Sequence, residues 1–65
     1  GVGRAAAFAL WNRMPGHWIV RVSEGNRRGI PFWGRIISEY TGGAFSQRTL
    51  PGTPHPWSVL SFRSP

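Results

Sequence analysis

Among its 65 residues the chain has no cysteine, no lysine and no aspartate. Without cysteine it can form neither a disulfide nor a thiolate metal site. Redox chemistry leaves the compartment open, and a reducing cytoplasm is the default expectation. Without aspartate no Ser–His–Asp constellation can be assembled. Glu24 and Glu39 are the only carboxylate side chains. The pattern puts Glu24 in a loop and Glu39 on the solvent side of a helix, so they make no acid–base pair. His17 and His55 stand apart from any ligand at metal spacing, and His17 reads as a solvated turn residue after a helix end. The longest apolar run is far short of the ~18–20 residues that cross a membrane. No signal-peptide pattern opens the chain. Residue 1 is Gly, and the single methionine, Met14, falls inside a predicted helix. The expectation is a piece of a longer sequence.

What is present is basic and aromatic. All eight positive side chains are arginine, giving a net charge of +6, and there are four Trp and four Phe. An anionic partner such as nucleic acid, a phosphate-rich cofactor or an acidic surface would account for the charge. A GC-rich coding sequence accounts equally well for Arg replacing Lys. A domain of this length buries only about 60% of its unfolded surface, so its core must be dense or completed by a partner.

The chain centres on residues 26–40. Phe32, Trp33, Ile36, Ile37 and Tyr40 recur at helical spacing, with Arg35, Ser38 and Glu39 opposite. Pro31 suits the first turn, where its missing N–H costs little, and Thr41-Gly42-Gly43 ends the helix. An earlier helix runs through Ala5–Met14, with Phe8, Trp11 and Met14 on one face beside Leu10, and Pro15-Gly16 stops it. Strands are predicted at Trp18–Ser23, Ala44–Leu50 and Trp57–Phe62. The proline-rich segment Pro51–Pro56 reads as a loop. The order helix–strand–helix–strand–strand describes one α+β domain over 1–65: two helices on a three-stranded, mostly antiparallel sheet.

Two short motifs carry chemistry. Gly1-Val2-Gly3-Arg4 precedes a helix, whose first N–H groups and dipole attract anions, and glycines allow a pyrophosphate close to the backbone. The motif lacks the ending of a Walker loop and is no complete Rossmann fingerprint. Asn26, Gly29, Phe32 and Trp33 form Asn-x-x-small-x-x-aromatic-aromatic at the opening of the second helix. In this order and spacing the two motifs resemble the C-terminal half of the GNAT superfamily of N-acetyltransferases. With Ile36-Ile37 and Glu39-Tyr40-Thr41, the chain looks like a subgroup of small predicted bacterial acetyltransferases. The likeness covers essentially the whole chain.

That resemblance implies a partial domain whose N-terminal half is absent, with the last strand lying between the other two. It implies that backbone around Gly1, Val2, Gly3 and Arg4 holds the pyrophosphate of acetyl-CoA. Asn26 would orient the pantetheine arm or the adjoining loop, with Phe32 and Trp33 packed beside it and Arg27-Arg28 near the phosphates. The implied reaction is attack of a small-molecule or peptide amine on the thioester, its oxyanion helped by backbone N–H groups. Two departures stand out. The Arg/Gln that begins the family's cofactor loop is missing, and Trp33 occupies a place where many relatives carry an acidic Tyr. An indole cannot supply that proton, and Tyr40, two turns on, reads as core, so no catalytic residue is assigned. The fragment alone is expected to be inactive. The Trp18–Ser23 strand should expose an edge, which implies a homo-oligomer or a missing half. The alternatives are a small basic module for nucleic acid or another anionic partner, and a non-catalytic oligomerising remnant.

Overall fold

The computed structural model describes residues 2–65. It is an α+β arrangement: α1 (Val2–Arg13), β1 (Gly16–Ser23), α2 (Gly29–Thr41), β2 (Phe45–Leu50) and β3 (Trp57–Ser64). The three strands form one antiparallel sheet in the order β1-β3-β2. β3 is therefore central, and the outer edge of β1 has no partner strand among the described residues.

Strand alternation gives the sheet two unlike faces. Trp18, Val20, Val22, Leu60, Phe62 and Phe45 point to one side, where both helices join them in a single core. Ile36, Ile37 and Leu60 are its most completely buried side chains. The α2 stripe lies as its spacing predicts, with Ile36 and Ile37 inward and Arg35 and Glu39 outward. Gly42 ends that helix in the left-handed region at φ 64°, and the N–H of Gly43 reaches the Ser38 carbonyl at 3.0 Å. A residue without Cβ takes this conformation without steric cost.

α1 differs from expectation in two ways. It begins at Val2, so Gly3 and Arg4 are helical rather than part of an opening loop. Its inward face is Ala7 and Trp11 with Phe8 half-buried, while Leu10 and Met14 are exposed. Trp11 decides this orientation. Its ring lies 4.8 Å from Phe62, 5.0 Å from Tyr40, 5.9 Å from Phe8 and 6.4 Å from Trp33, centroid to centroid. Such tilted and edge-on pairs add to the gain from burial. With Trp11 at the centre, Leu10, one residue before it, turns outward, and Met14 lies beyond the last helical residue, Arg13.

The helix ends are joined to β3 by a polar set. Ser64 Oγ donates to the Trp11 carbonyl at 2.6 Å and lies 2.8 Å from the Tyr40 hydroxyl, which is 2.7 Å from Asn12 Oδ1. Ser64 is buried, so its satisfied hydroxyl matters more than an exposed one would. Tyr40 is thus a structural residue that ties three elements together. The indole of Trp18 donates to the Met14 carbonyl at 2.9 Å, closing the end of α1.

Candidate functional site

The two sequence motifs meet where α1 crosses the start of α2. A Cβ on Gly3 would stand 3.3 Å from the tip of the Phe32 ring, so this glycine makes room for that ring against α1. Phe32 meets Trp33 edge-on at 5.4 Å, and Trp33 in turn packs near Trp11. Gly3, Phe32 and Trp33 therefore share one neighbourhood. Val2 is at the solvent-exposed start of the helix. Gly1 lies outside the described residues.

Arg4 is engaged elsewhere. Its Nε donates to Glu39 Oε2 at 2.7 Å, and its guanidinium stacks over Phe8 at 4.5 Å from the ring centroid. The hydrogen bond from Arg4 holds the Glu39 carboxyl below the usual glutamate range, helped by the charges of Arg4 and Arg35. Arg27 and Arg28 are exposed in the turn before α2.

Asn26 orients the loop. Its Oδ1 accepts the Gly29 N–H at 2.9 Å, and its carbonyl accepts Gly29 N–H at 3.2 Å and Ile30 N–H at 3.4 Å. A Cβ on Gly29 would collide with the Asn26 side-chain amide. The small residue at position 29 is thus the condition for the asparagine to close the turn.

An open apolar groove of about 410 Å³ lies between α1 and the free edge of β1. Gly3, Ala6 and Leu10 form one wall, Trp18, Ile19 and Val20 the other, and Trp33 stands at the back. The volume is within the usual range for small-ligand sites, and the few polar groups nearby are backbone at the strand edge. Two motif residues, Gly3 and Trp33, line it; Asn26 does not. Sequence spacing could not reveal the groove, because its walls come from three elements and its shape depends on the crossing of α1 over β1.

His17 is not a turn residue. It lies in β1 with Nε2 2.6 Å from Ser61 Oγ. His55 sits in the proline-rich loop, packed against Gly25. Among the described residues no group of three or more His or Glu side chains could hold a metal, and no helix is long and apolar enough to cross a membrane.

No protein-family model, no curated protein and no solved structure matches the chain.

Proposed function

We propose that the chain supplies the cofactor-side half of an acetyl-CoA-dependent N-acetyltransferase, completed by a further half or by a second copy along the β1 edge. One observation carries the reading. The last strand lies between the other two, as the likeness to the acetyltransferases implies. An antiparallel pair in sequence, β2 then β3, would be equally well satisfied with β3 at the outer edge, so this order is informative.

The residues present suit the apolar part of the cofactor. The groove beside β1 takes an alkyl-amide arm between Ala6, Leu10 and Val20, and the strand edge offers free backbone N–H and C=O groups to its amides. Gly3 keeps the upper end open, and Asn26 holds the loop that leads into α2. Trp33 walls the site and excludes water but supplies no proton. Bound acetyl-CoA would bring the activated acyl group as a thioester. A base, an acid and the amine pocket would come from the completing half.

Titration calorimetry of acetyl-CoA into the chain tests this. Saturable binding is expected, and Ala6→Trp should abolish it by filling the groove from an exposed position that leaves the core untouched. Absence of binding by the folded chain, or equal binding by Ala6→Trp, overturns the reading. Gly3 is less suitable for this test, since bulk there strikes Phe32 and disturbs the fold.

A further inference from the structure

The face of the sheet turned away from the helices has a pattern of its own. The strand register arranges it in rows: Ile19–Ser61–Ser46, then Arg21–Val59–Arg48, then Ser23–Trp57–Leu50, with His17 and Arg63 at the far end. Ile19, Trp57 and Leu50 are 55%, 38% and 36% exposed, which is unusual for large apolar side chains gathered on one surface. Val59 is only 3% exposed yet stands apart from the helix-side core. Arg21 and Arg48 flank it in register on the two neighbouring strands. The Arg21 guanidinium also lies 5.7 Å from the Trp57 ring centroid.

Ile19, Trp57 and Leu50, one residue from each strand, are the exposed parts of a diagonal stripe that passes over the buried Val59. Strand and residue spacings make it about 16 Å long, or three helical turns. Arg21 stands on one side of the stripe and Arg48 on the other, about 10 Å apart at the backbone, close to the width of an α-helix. No carboxylate of the chain faces them. Glu39 pairs with Arg4 on α2, and Glu24 lies in the turn after β1.

We infer that this face docks an acidic amphipathic helix of a partner protein, its apolar ridge on Ile19, Trp57 and Leu50 and its flanking carboxylates on Arg21 and Arg48. Charge complementarity selects the acidic partner. The diagonal stripe selects a helix, because a single-stranded nucleic acid would meet the arginines but leave Ile19 and Leu50 without apolar partners. Arginine and tryptophan at the centre of such a face are the residues that contribute most to protein interfaces. The inference shares only Ile19 with the wall of the groove; Trp57, Leu50, Arg21 and Arg48 do not line it.

The probe is a synthetic helical peptide of about 18 residues with one leucine stripe flanked by glutamates. Its twin carries lysines in place of the glutamates, and oligothymidylate serves as the nucleic-acid comparison. Calorimetry should show saturable binding of the acidic peptide alone. Backbone amide shifts in the labelled chain should concentrate on residues 17–23, 46–50 and 57–63. The double variant Arg21→Gln/Arg48→Gln, which keeps most of each stem, should weaken binding about tenfold at low salt. Leu50→Ser/Trp57→Ser, changing two exposed residues that do not line the groove, should also weaken it if the arginine variant fails to fold. Equal binding of both peptides, shifts confined to the α1 groove, or binding of oligothymidylate alone with a steep salt dependence overturns the inference.

Discussion

Asn26 and Gly29 form a pair in which each residue explains the other. Ala at position 29 would ordinarily favour a helix by up to ~1 kcal/mol over Gly. Here a Cβ would displace the Asn26 side chain and break its bond to the Gly29 N–H. Gly29→Ala alone should therefore destabilise the chain by about 1 kcal/mol, while the same change in an Asn26→Ala background should be neutral or stabilising. Urea midpoints of the four proteins give the sign reversal directly. Equal effects in both backgrounds would mean that the turn does not depend on the amide. Glu39 makes a prediction of the opposite kind, about conditions. Its ionised form is favoured in the folded chain by Arg4, so the stabilisation is present above the ordinary glutamate pKa and is lost as pH falls through the lowered value. Urea midpoints taken from about pH 5 down to about pH 3 should decline less steeply in Glu39→Gln than in the parent. Both partners are about half exposed, so the effect is small and fades with salt.

At the scale of elements, α2 was legible because its apolar residues form one uninterrupted stripe and glycines mark its C-terminal end. α1 was legible as a helix but not in its rotation. Phe8, Leu10, Trp11 and Met14 spread round much of its circumference, so spacing alone permits several inward faces. The rings of Phe62, Tyr40 and Trp33 select the one centred on Trp11. The glycine-rich start was read as a loop because glycines weaken helices. In the structure Gly3 is helical, and the space a Cβ would take there is bounded by the Phe32 ring. Gly3→Leu should force the helices apart and cost ~1–3 kcal/mol, measured by chemical denaturation, although leucine is the better helix former. A stabilised Gly3→Leu protein would show that the contact is loose. β2 was the weakest strand in the sequence and is the least buried, with Phe45 alone turned into the core.

Among the described residues the sheet leaves the outer edges of β1 and β2 and the face opposite the helices without a partner. A free edge of eight residues beside exposed Ile19 and Leu10 favours pairing with another strand. Each chain carries +6, so copies repel at low ionic strength. Self-association through β1 should therefore strengthen as salt is added, and light scattering should read a mass rising above 7.3 kDa with concentration. A mass that stays monomeric at high salt and high concentration would assign the edge to a different partner. The opposite sign of salt dependence at the arginine-bearing face separates that face from the β1 edge in one set of measurements.

The order of elements, their approximate limits, the inward stripe of α2 and the alternation of the strands were all determined by the sequence. Each depends on local periodicity, on glycine and proline placement, or on turn chemistry, and these act over a few residues. The position of β3 between β1 and β2 was implied only by family likeness. In the structure it is decided by pairings that join residues 16–23 and 45–50 to residues 57–64. Tertiary structure alone decided which face of α1 is buried, where Arg4 finds its carboxylate, and that Ser64 and Asn12 would close around Tyr40. It also decided that Ile19, Trp57 and Leu50 would share one face with Arg21 and Arg48. Those arrangements depend on the distance between side chains far apart in the chain, a quantity that no local pattern encodes.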